Sequence, residues 1–234
     1  MESVQSLQFF STGQFPCSYL PGRIARNCVI DPQFPMDEAV YSDLLKSGFR
    51  RSGSQVYRPQ CLPCKECIST RIPADDFKPS RSQRRNLKLN RDLRIEINMA
   101  GFKPEYADLY KSYLQDRHQN HDADGVEDFF ESDWCPTHYI EFYDNKKLIG
   151  VAVVDILPTE ISAVYTLFDT QRGSKRGLGT FAVLWQIDYA LKLGKQYVYP
   201  GYWIEKCSKM NYKSRFQPLE GYRDGRWFAI AKQF

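Results

Sequence analysis

The sequence is poor in histidine, on which hydrolytic triads and many metal centres depend. Only three histidines occur among 234 residues, none at a spacing that suggests a metal site or a triad, and the motif Gly-x-Ser-x-Gly is missing. No apolar run approaches the roughly 18–20 residues that a membrane span needs. Residues 1–5 lack the basic start and apolar stretch of a signal peptide. We therefore expect a cytoplasmic protein without a membrane partner.

Cysteine is present in an odd number, seven, which argues against a complete set of internal disulfides. In a reducing compartment the thiols should stay free unless they bind a metal. Cys61, Cys64 and Cys67 are evenly spaced, so they can converge on one structural zinc ion or an iron–sulfur cluster. A fourth ligand would come from Cys17, Cys28 or elsewhere. The alternative is that the three thiols are small buried side chains of a tight turn.

The order of predicted elements indicates an α+β protein. Residues 1–35 carry Gly and Pro and are expected to be mostly irregular, and a helix then opens at Asp37 and Glu38 and stops at Gly48. Alternating residues predict strands over 49–58 and 68–72. The later predicted elements are a helix capped by Ser80 or Ser82, strand 94–98, a helix from Pro104, loop 118–124, strands 138–143, 148–156 and 161–168, a Gly-rich turn over 172–180, a helix to Gly194, and strands 196–199 and 226–231.

A strand hairpin followed by a Gly-rich turn, a helix and a strand is the order of an acyltransferase core of the GNAT-like type. We therefore expect residues 100–234 to form such a core, with a mixed, mainly antiparallel sheet and flanking helices. Residues 1–99 would form a smaller Cys-containing α/β half. The composition near residue 100 is not that of a linker, so we expect the two halves to pack together.

A block of positive charge follows the cysteines. Its seven cations are accompanied by one acid, Asp92. The cations are Lys78, Arg81, Arg84, Arg85, Lys88, Arg91 and Arg94. Several lie three or four residues apart, so on a helix they share one face, which suits the phosphates of an RNA. The alternative is a solvated helix surface.

Two further segments suit a ligand. The turn containing Gly177 and Gly179 precedes a helix, and such a turn can approach an anion closely. In GNAT acetyltransferases it holds the pyrophosphate of acetyl-CoA, although Ser174 stands here where that pattern has Arg or Gln; the alternative is a tight connection without a ligand. Tyr202 and Trp203 precede several lysines, a combination that can stack a base and neutralise a phosphate. An aromatic core edge is the alternative there.

Together these segments resemble the arginyl-tRNA–protein transferase family, and most closely its short bacterial branch. The resemblance extends from about residue 14 to about residue 220. The matching motifs are Tyr57-Arg58-Pro59 through Cys67, Ser80 to Arg85, Val154-Asp155-Ile156-Leu157-Pro158, Ser162-Ala163-Val164-Tyr165 with Phe168-Asp169, Gly177-Leu178-Gly179-Thr180, and Gly201 to Lys213. Leu20 stands where eukaryotic relatives have the second cysteine of an early pair, which places a family iron–sulfur site in doubt.

The resemblance implies transfer of leucine from Leu-tRNA to proteins that begin with Asp or Glu, which marks them for N-degron degradation. No cofactor is needed for that chemistry, and DNA is not an expected partner. Asp155 would hold or deprotonate the amine, Tyr165 would polarise the carbonyl, and Arg71 or Arg58 would bind the acidic first residue. The expected tRNA contacts are Arg81, Arg84, Arg85, Lys88, Arg91, Lys209 and Lys213, and the aminoacyl end would meet Arg176, Gly177, Gly179, Tyr202 and Trp203.

Three other functions remain open from the sequence. Arginyl transfer needs the same acceptor and a donor pocket of different polarity, which the sequence does not define. An acetyl-CoA-dependent N-acetyltransferase would use the Gly-rich turn and ignore tRNA. A non-catalytic RNA-binding metal module would bind RNA, contain stoichiometric metal and turn nothing over.

Overall fold

The computed structural model describes residues 6–118 and 125–231. Fourteen strands and seven α-helices are distributed along that part of the chain. The strands are β1 (Phe9–Ser11), β2 (Phe15–Pro16), β3 (Ile24–Ala25), β4 (Asn27–Ile30), β5 (Arg50–Ser52), β6 (Gln55–Pro59), β7 (Ile68–Pro73), β8 (Arg94–Asn98), β9 (Thr137–Asp144), β10 (Lys147–Ile156), β11 (Glu160–Phe168), β12 (Tyr197–Trp203), β13 (Leu219–Arg223) and β14 (Arg226–Ile230). The helices are α1 (Glu38–Lys46), α2 (Arg81–Leu89), α3 (Pro104–His118), α4 (Val126–Phe130), α5 (Thr170–Arg176), α6 (Leu178–Lys192) and α7 (Ser208–Asn211), followed by a 3₁₀ turn at Tyr212–Arg215.

One eight-stranded sheet organises the fold, in the order β14-β13-β7-β12-β11-β10-β9-β8. Every neighbouring pair is antiparallel except β11 with β12, which run parallel. Two smaller sheets, β1-β4-β6-β5 and β2-β3, come from the first 60 residues. The protein is therefore a mixed α+β protein with a large, mostly antiparallel sheet and flanking helices, as the sequence predicts.

The large sheet is covered on both faces. Helix α6 is mostly apolar and packs on one face, where Phe181 and Leu184 join the main core. The opposite face meets α3 and α4 through a second group of buried side chains that includes Tyr106. Helix α1 packs in a third group, around Leu45 and Tyr199.

Both sides of residue 100 contribute to the large sheet. Strands β7 and β8 come from the first 99 residues, and β7 lies between β12 and β13. The halves are thus closely packed, and the boundary near residue 100 stays a prediction. Within the described residues no helix is long and apolar enough to cross a membrane.

Most predicted helices and strands are present. Asp37 caps α1 by accepting from the backbone N–H of Val40, and Ser80 with Gln83 forms a capping box at the start of α2. Strands 68–72, 94–98, 138–143, 148–156 and 161–168 are confirmed with small changes at their ends. The loop predicted for 118–124 lies outside the described residues, apart from His118 at the end of α3.

The structure differs from the prediction at several elements. Residues 49–58 form the hairpin β5–β6 and not one strand, because Gly53 adopts a left-handed φ of 57° that turns the chain. The N-terminal region, expected to be mostly irregular, is so over most of residues 6–35 and also contains the short strands β1 to β4. Strand β12 extends to Trp203, and β13 was not predicted. The Gly-rich turn consists of helix α5, a single left-handed residue at Gly177, and the first turn of α6.

Candidate active site

The parallel strands β11 and β12 separate soon after they meet. Their register covers only Glu160 to Ser162 against Tyr197 to Tyr199. Beyond it, β11 bulges against β10, and β12 bulges against β7 before Gly201, whose φ is 94°. We call the space between the separating strands the strand gap. In this gap, backbone carbonyl groups of β11 and β12 face each other, and the two strands no longer form backbone hydrogen bonds with each other.

Arg50 occupies the strand gap. Its Nη1 donates to the carbonyl oxygen of Tyr199 at 3.0 Å, and its Nη2 donates to the carbonyl oxygen of Ala163. The side chain reaches there from β5, so a residue of the N-terminal sheet joins the two central strands. Only 6% of Arg50 is exposed. The sequence patterns do not identify this residue.

Asp155 is buried beside the gap. Arg51 donates from Nε to Oδ2 at 2.8 Å and from Nη2 to Oδ1 at 2.5 Å, and both side chains are fully buried. Thr137 donates a third hydrogen bond to Oδ1 at 3.1 Å. The carboxylate predicted to contact the amine is therefore held by Arg51 and Thr137, so its contact with a substrate remains a prediction.

Tyr165 lies two residues beyond Ala163 in an aromatic group. Its ring is 5.7 Å from Tyr110, 5.6 Å from Phe129 and 5.8 Å from Phe130, measured between centroids. Burial is the main reason that the pKa of its hydroxyl is raised, so the group stays protonated at neutral pH and can act as a hydrogen-bond donor. This state is the one that polarisation of a carbonyl requires.

Lys213 is buried next to β12. Its Nζ donates to the carbonyl oxygen of Tyr202 at 2.7 Å, and 4% of the residue is exposed. Burial first, and the charge of Arg50 second, lower the pKa of this lysine to about 7. Lys213 was predicted to contact tRNA phosphates at the surface, and the structure instead places it inside the fold.

Tyr202 and Trp203 are also buried within β12. The hydroxyl of Tyr202 donates to the carbonyl oxygen of Gly48 at 3.1 Å, and the indole of Trp203 donates to that of Asn211 at 3.3 Å.

Lys209, by contrast, is exposed and lines a surface cavity of about 380 Å³. That cavity also includes Cys17, Tyr19, Lys206 and Cys207. Among the ligand contacts predicted between residues 201 and 213, Lys209 is thus the one that lies at the surface.

The two arginines predicted to bind an acidic terminus have partners within the protein. Arg71 is held between the rings of Tyr197 and Trp227, at 4.0 and 4.2 Å from their centroids, and its Nε donates to Glu220 at 2.6 Å. Arg58 lies 4.7 Å from the ring centroid of Phe49. Glu220 thus neutralises Arg71 in this structure, and both roles stay predictions.

Helix α2 presents the predicted basic surface. Five cations within α2 or just after it are exposed. Gln83, on the buried face of the helix, donates to the carbonyl oxygen of Arg215 at 3.0 Å. The exposed cations are Arg81, Arg84, Arg85, Lys88 and Arg91. A surface groove of about 560 Å³ continues this surface along Lys88, Arg91 and Lys175. The groove suits a polyanion.

The Gly-rich segment has a structural explanation. Asn86 of α2 donates to the carbonyl oxygens of Arg176 and Gly177 at 2.8 and 3.1 Å, which fixes the break between α5 and α6. Arg176 forms two hydrogen bonds of 2.9 Å with the carboxylate of Asp92. These contacts connect the segment to the basic helix, and contact with an aminoacyl end stays a prediction.

Two family models match the sequence. "Arginine-tRNA-protein transferase, N terminus" covers residues 15–85, and "Arginine-tRNA-protein transferase, C terminus" covers residues 105–223. The chain belongs to the arginine-tRNA-protein transferase family. A relative named aspartate/glutamate leucyltransferase from Pseudomonas aeruginosa (strain UCBPP-PA14) is 43% identical over 98% of this chain and 100% of its own length. One of the same name from Nitrosococcus oceani is 46% identical over 97% of this chain and 98% of its own length.

A solved structure described as FemX is also similar to this chain. It covers 87% of this chain and 81% of its own, with 9% sequence identity and a TM-score of 0.44.

The cysteines of this transferase-family chain approach one another without forming a ligand set. Burial first, and then the neighbouring thiols of Cys61, Cys17 and Cys64, raise the pKa of Cys67 to about 12. Within the described residues no three His, Cys, Asp or Glu side chains are grouped so that they could hold a metal ion. Zinc or iron–sulfur binding by these cysteines stays a prediction.

Arg50 and Arg51 are the site residues that reading the sequence missed. Two consecutive arginines follow Phe49 in a predicted strand. Because successive side chains of a strand point to opposite faces, each face then carries an arginine, which is unusual for a strand with a buried face. That pattern signals that at least one of them is buried with a specific partner. The partners of Arg50 in the strand gap and the carboxylate partner of Arg51, Asp155, lie 104 or more residues away in the chain, so no local pattern reveals them.

Proposed function

We propose that this protein transfers leucine from leucyl-tRNA to the N-terminal α-amine of proteins that begin with Asp or Glu. The observation that carries the proposal is the 43–46% identity, over nearly the full length of both chains, to relatives named aspartate/glutamate leucyltransferase. The product carries a new N-terminal leucine, which in the N-degron pathway directs a protein to degradation. Aminoacyl-tRNA and an acidic N-terminus are then its two substrates, in the cytoplasm.

The basic surface of α2 supports binding of the tRNA. Its exposed cations form a row on the helix, and α2 packs on α6, which begins beside the ends of the central strands. Phosphates of the acceptor stem would follow this surface and the groove at Lys88 and Arg91. Lys209 would contact the end of the tRNA from the cavity that it lines.

The reaction needs no protein nucleophile, because the aminoacyl ester is already activated. The free α-amine attacks the ester carbonyl carbon, a C–N bond forms, and the C–O bond to the tRNA ribose breaks. The amine loses a proton and the ribose oxygen gains one. The protein must align both groups and stabilise the developing oxyanion. A GNAT-like core would do so at the strand gap, and the protonated hydroxyl of Tyr165, two residues beyond Ala163 on β11, is the proposed donor.

Asp155 would act in this reaction as a positioning group or as the acceptor of the amine proton. Its oxygens accept from Arg51 and Thr137, so it orients the β5 arginines that enter the gap. Direct proton transfer would require one of these hydrogen bonds to open. The two roles predict different rates for a variant that keeps the contact with Arg51 but lacks the Asp155 carboxylate. A positioning group would largely retain its effect in that variant, whereas a proton acceptor would lose it.

Mass spectrometry of short peptides tests the proposal. Peptides that begin with Asp, Glu or Ala are incubated with the protein and with tRNA charged with leucine or with arginine. We expect a gain of one leucine on the Asp and Glu peptides alone. A gain of arginine would preserve the mechanism and refute the donor. No gain from either tRNA would refute the proposed function and direct the tests to CoA and metal binding.

A further inference from the structure

Arg50 and Lys213 are buried cations without an acidic partner. Each is less than one-tenth exposed. Their hydrogen-bond partners are neutral: two backbone carbonyls for Arg50, and the Tyr202 carbonyl and the Met210 sulfur for Lys213. Within the described ranges neither forms an ion pair. The adjacent Arg51, in contrast, pairs with Asp155. Buried charges are usually paired, so the guanidinium of Arg50, and the ammonium of Lys213 whenever that lysine is protonated, need an explanation.

The two cations lie on the same short piece of β12. Arg50 guanidinium atoms lie 3.8–4.0 Å from where a Cβ on Gly201 would be, and Lys213 Nζ is 2.7 Å from the carbonyl oxygen of the next residue, Tyr202. After burial, the charge of Arg50 is the next cause that lowers the pKa of Lys213, which shows that the two charges repel each other. A bound anion would relieve both this repulsion and the cost of burying the charges.

Both side chains keep donors for such an anion. A guanidinium has five N–H groups and an ammonium has three. Protein acceptors among the described residues account for two donors of Arg50 and two of Lys213. A planar guanidinium and an adjacent ammonium are well suited to the two oxygens of a carboxylate.

We propose that Arg50 and Lys213 form the pocket for the side-chain carboxylate of the acceptor's first residue. This inference rests on the proposed function and assigns its acceptor selectivity to two residues. Arg50 bonds the Ala163 carbonyl, and Tyr165 follows two residues later on β11. A carboxylate bound at Arg50 would therefore place the α-amine of the same residue near Tyr165. A flexible N-terminal residue can enter a nearly closed site, whereas the phosphates of a folded tRNA lie on its outer surface.

The proposal differs from the assignment of this role to Arg71. Arg71 has an acidic partner, Glu220, and its guanidinium faces are covered by two aromatic rings. A second carboxylate would have to compete with Glu220. Arg50 and Lys213 have no such competitor among the described residues. The charge balance of the free protein thus favours the Arg50–Lys213 pocket.

Isothermal titration with dipeptide amides tests the pocket without tRNA. Asp-Ala-amide and Asn-Ala-amide differ only in the charged oxygen, so their affinity ratio measures carboxylate recognition. We expect the wild-type protein to prefer Asp-Ala-amide, and Lys213→Met and Arg50→Lys each to reduce that preference at least tenfold. Lys195→Met controls for the loss of a lysine at a more exposed position, since that lysine also donates to a backbone carbonyl, at Pro158. In transfer assays Lys213→Met should raise KM for the Asp peptide and leave KM for charged tRNA unchanged.

Thermal melting separates this role from a structural one. Methionine matches the length of lysine, so Lys213→Met should keep or raise Tm if the charge serves a ligand. A lower Tm with a proportional loss of kcat for every substrate would overturn the proposal. The proposal would also be overturned if Lys213→Met and Arg50→Lys both kept the wild-type preference for Asp-Ala-amide over Asn-Ala-amide. It would be overturned equally if Arg71→Gln lost that preference while the other two variants kept it. Dipeptide selectivity without leucyl transfer would refute the proposed function and leave the pocket intact.

Discussion

Arg51 and Asp155 form a two-point ion pair whose side chains are completely buried. The distances are 2.8 Å from Nε to Oδ2 and 2.5 Å from Nη2 to Oδ1, and the Arg51 guanidinium also donates to the Phe130 carbonyl at 2.7 Å. One arginine thereby joins the N-terminal hairpin, helix α4 and the end of β10. The same ion pair fixes β5 so that the preceding residue, Arg50, enters the strand gap.

Removing either partner of this pair should destabilise the protein strongly. Asp155→Leu or Arg51→Met leaves one buried charge uncompensated, which costs about 3–5 kcal/mol. The double variant Arg51→Met/Asp155→Leu leaves no charge and should recover much of that loss. Urea unfolding of the three variants measures the free energies. Additive losses in the double variant would show that the pair is not coupled and would contradict the structure.

Transfer activity of the same variants tests the role of Asp155. We expect the double variant to fold and to lose transfer by orders of magnitude, because Arg50 is no longer positioned and no carboxylate remains beside the gap. Near-normal turnover in the double variant would remove Asp155 from the mechanism. The stability data ensure that any loss of rate is compared between folded proteins.

The basic surface of α2 should determine RNA affinity. Replacing Arg84, Arg85 and Lys88 by Gln removes three exposed cations, and the slope of log K against log salt should flatten by about 0.7–0.9 for every phosphate that is no longer neutralised. Nitrocellulose filter binding of leucyl-tRNA at several salt concentrations measures that slope. Stability should change little, since these side chains are exposed.

A charge-matched control variant distinguishes this surface from net charge. Lys46, Lys192 and Arg223 are partly or fully exposed cations on other elements, and replacing all three by Gln removes the same total charge. We expect affinity and slope to stay close to those of the wild type. Equal losses in the two triple variants would mean that α2 is only a solvated surface.

Local patterns in the sequence predict the elements well, and long-range contacts explain what they miss. Ser80 and Gln83 lie three residues apart, so the capping box of α2 can be read directly from the sequence. The partners of Arg50 are Tyr199 and Ala163, 149 and 113 residues away. No periodicity relates such positions, and the strand gap that joins them arises only when β11 and β12 separate.

Burial explains why some predicted site residues were misplaced. Lys213 follows aromatic residues in a polar-looking segment, and the sequence alone suggests a surface lysine. The 3₁₀ turn at Tyr212–Arg215 instead directs it inward, toward the Tyr202 carbonyl. Exposed cations need no specific partner, which is why α2 was predicted correctly as an exposed basic helix.

Stability should depend on pH through Lys213. Its pKa is lowered from 10.5 to about 7, chiefly by burial, so between these values the unfolded chain binds a proton that the folded chain does not. Stability therefore rises with pH in this window, by up to about 1.4 kcal/mol per unit, and the full penalty of burying the charge applies below about pH 7. Thermal melting of the wild type and of Lys213→Met between about pH 7 and pH 9 measures this effect. The rise should be smaller in the variant, and equal slopes would assign it to another group.

Gly177 and Gly179 should respond oppositely to substitution by alanine. Gly177 has a φ of 61°, and a Cβ there would lie 2.7 Å from the Asn86 side-chain nitrogen, so Gly177→Ala should cost about 1–2 kcal/mol. Gly179 is helical, and its Cβ would meet Phe168 at an ordinary 3.4 Å, so Gly179→Ala should raise stability by up to about 1 kcal/mol. Thermal melting measures both signs. Because Gly179→Ala keeps the fold, loss of leucyl transfer in that variant would show that close approach of the aminoacyl end requires the glycine, whereas full transfer would leave the segment a purely structural role.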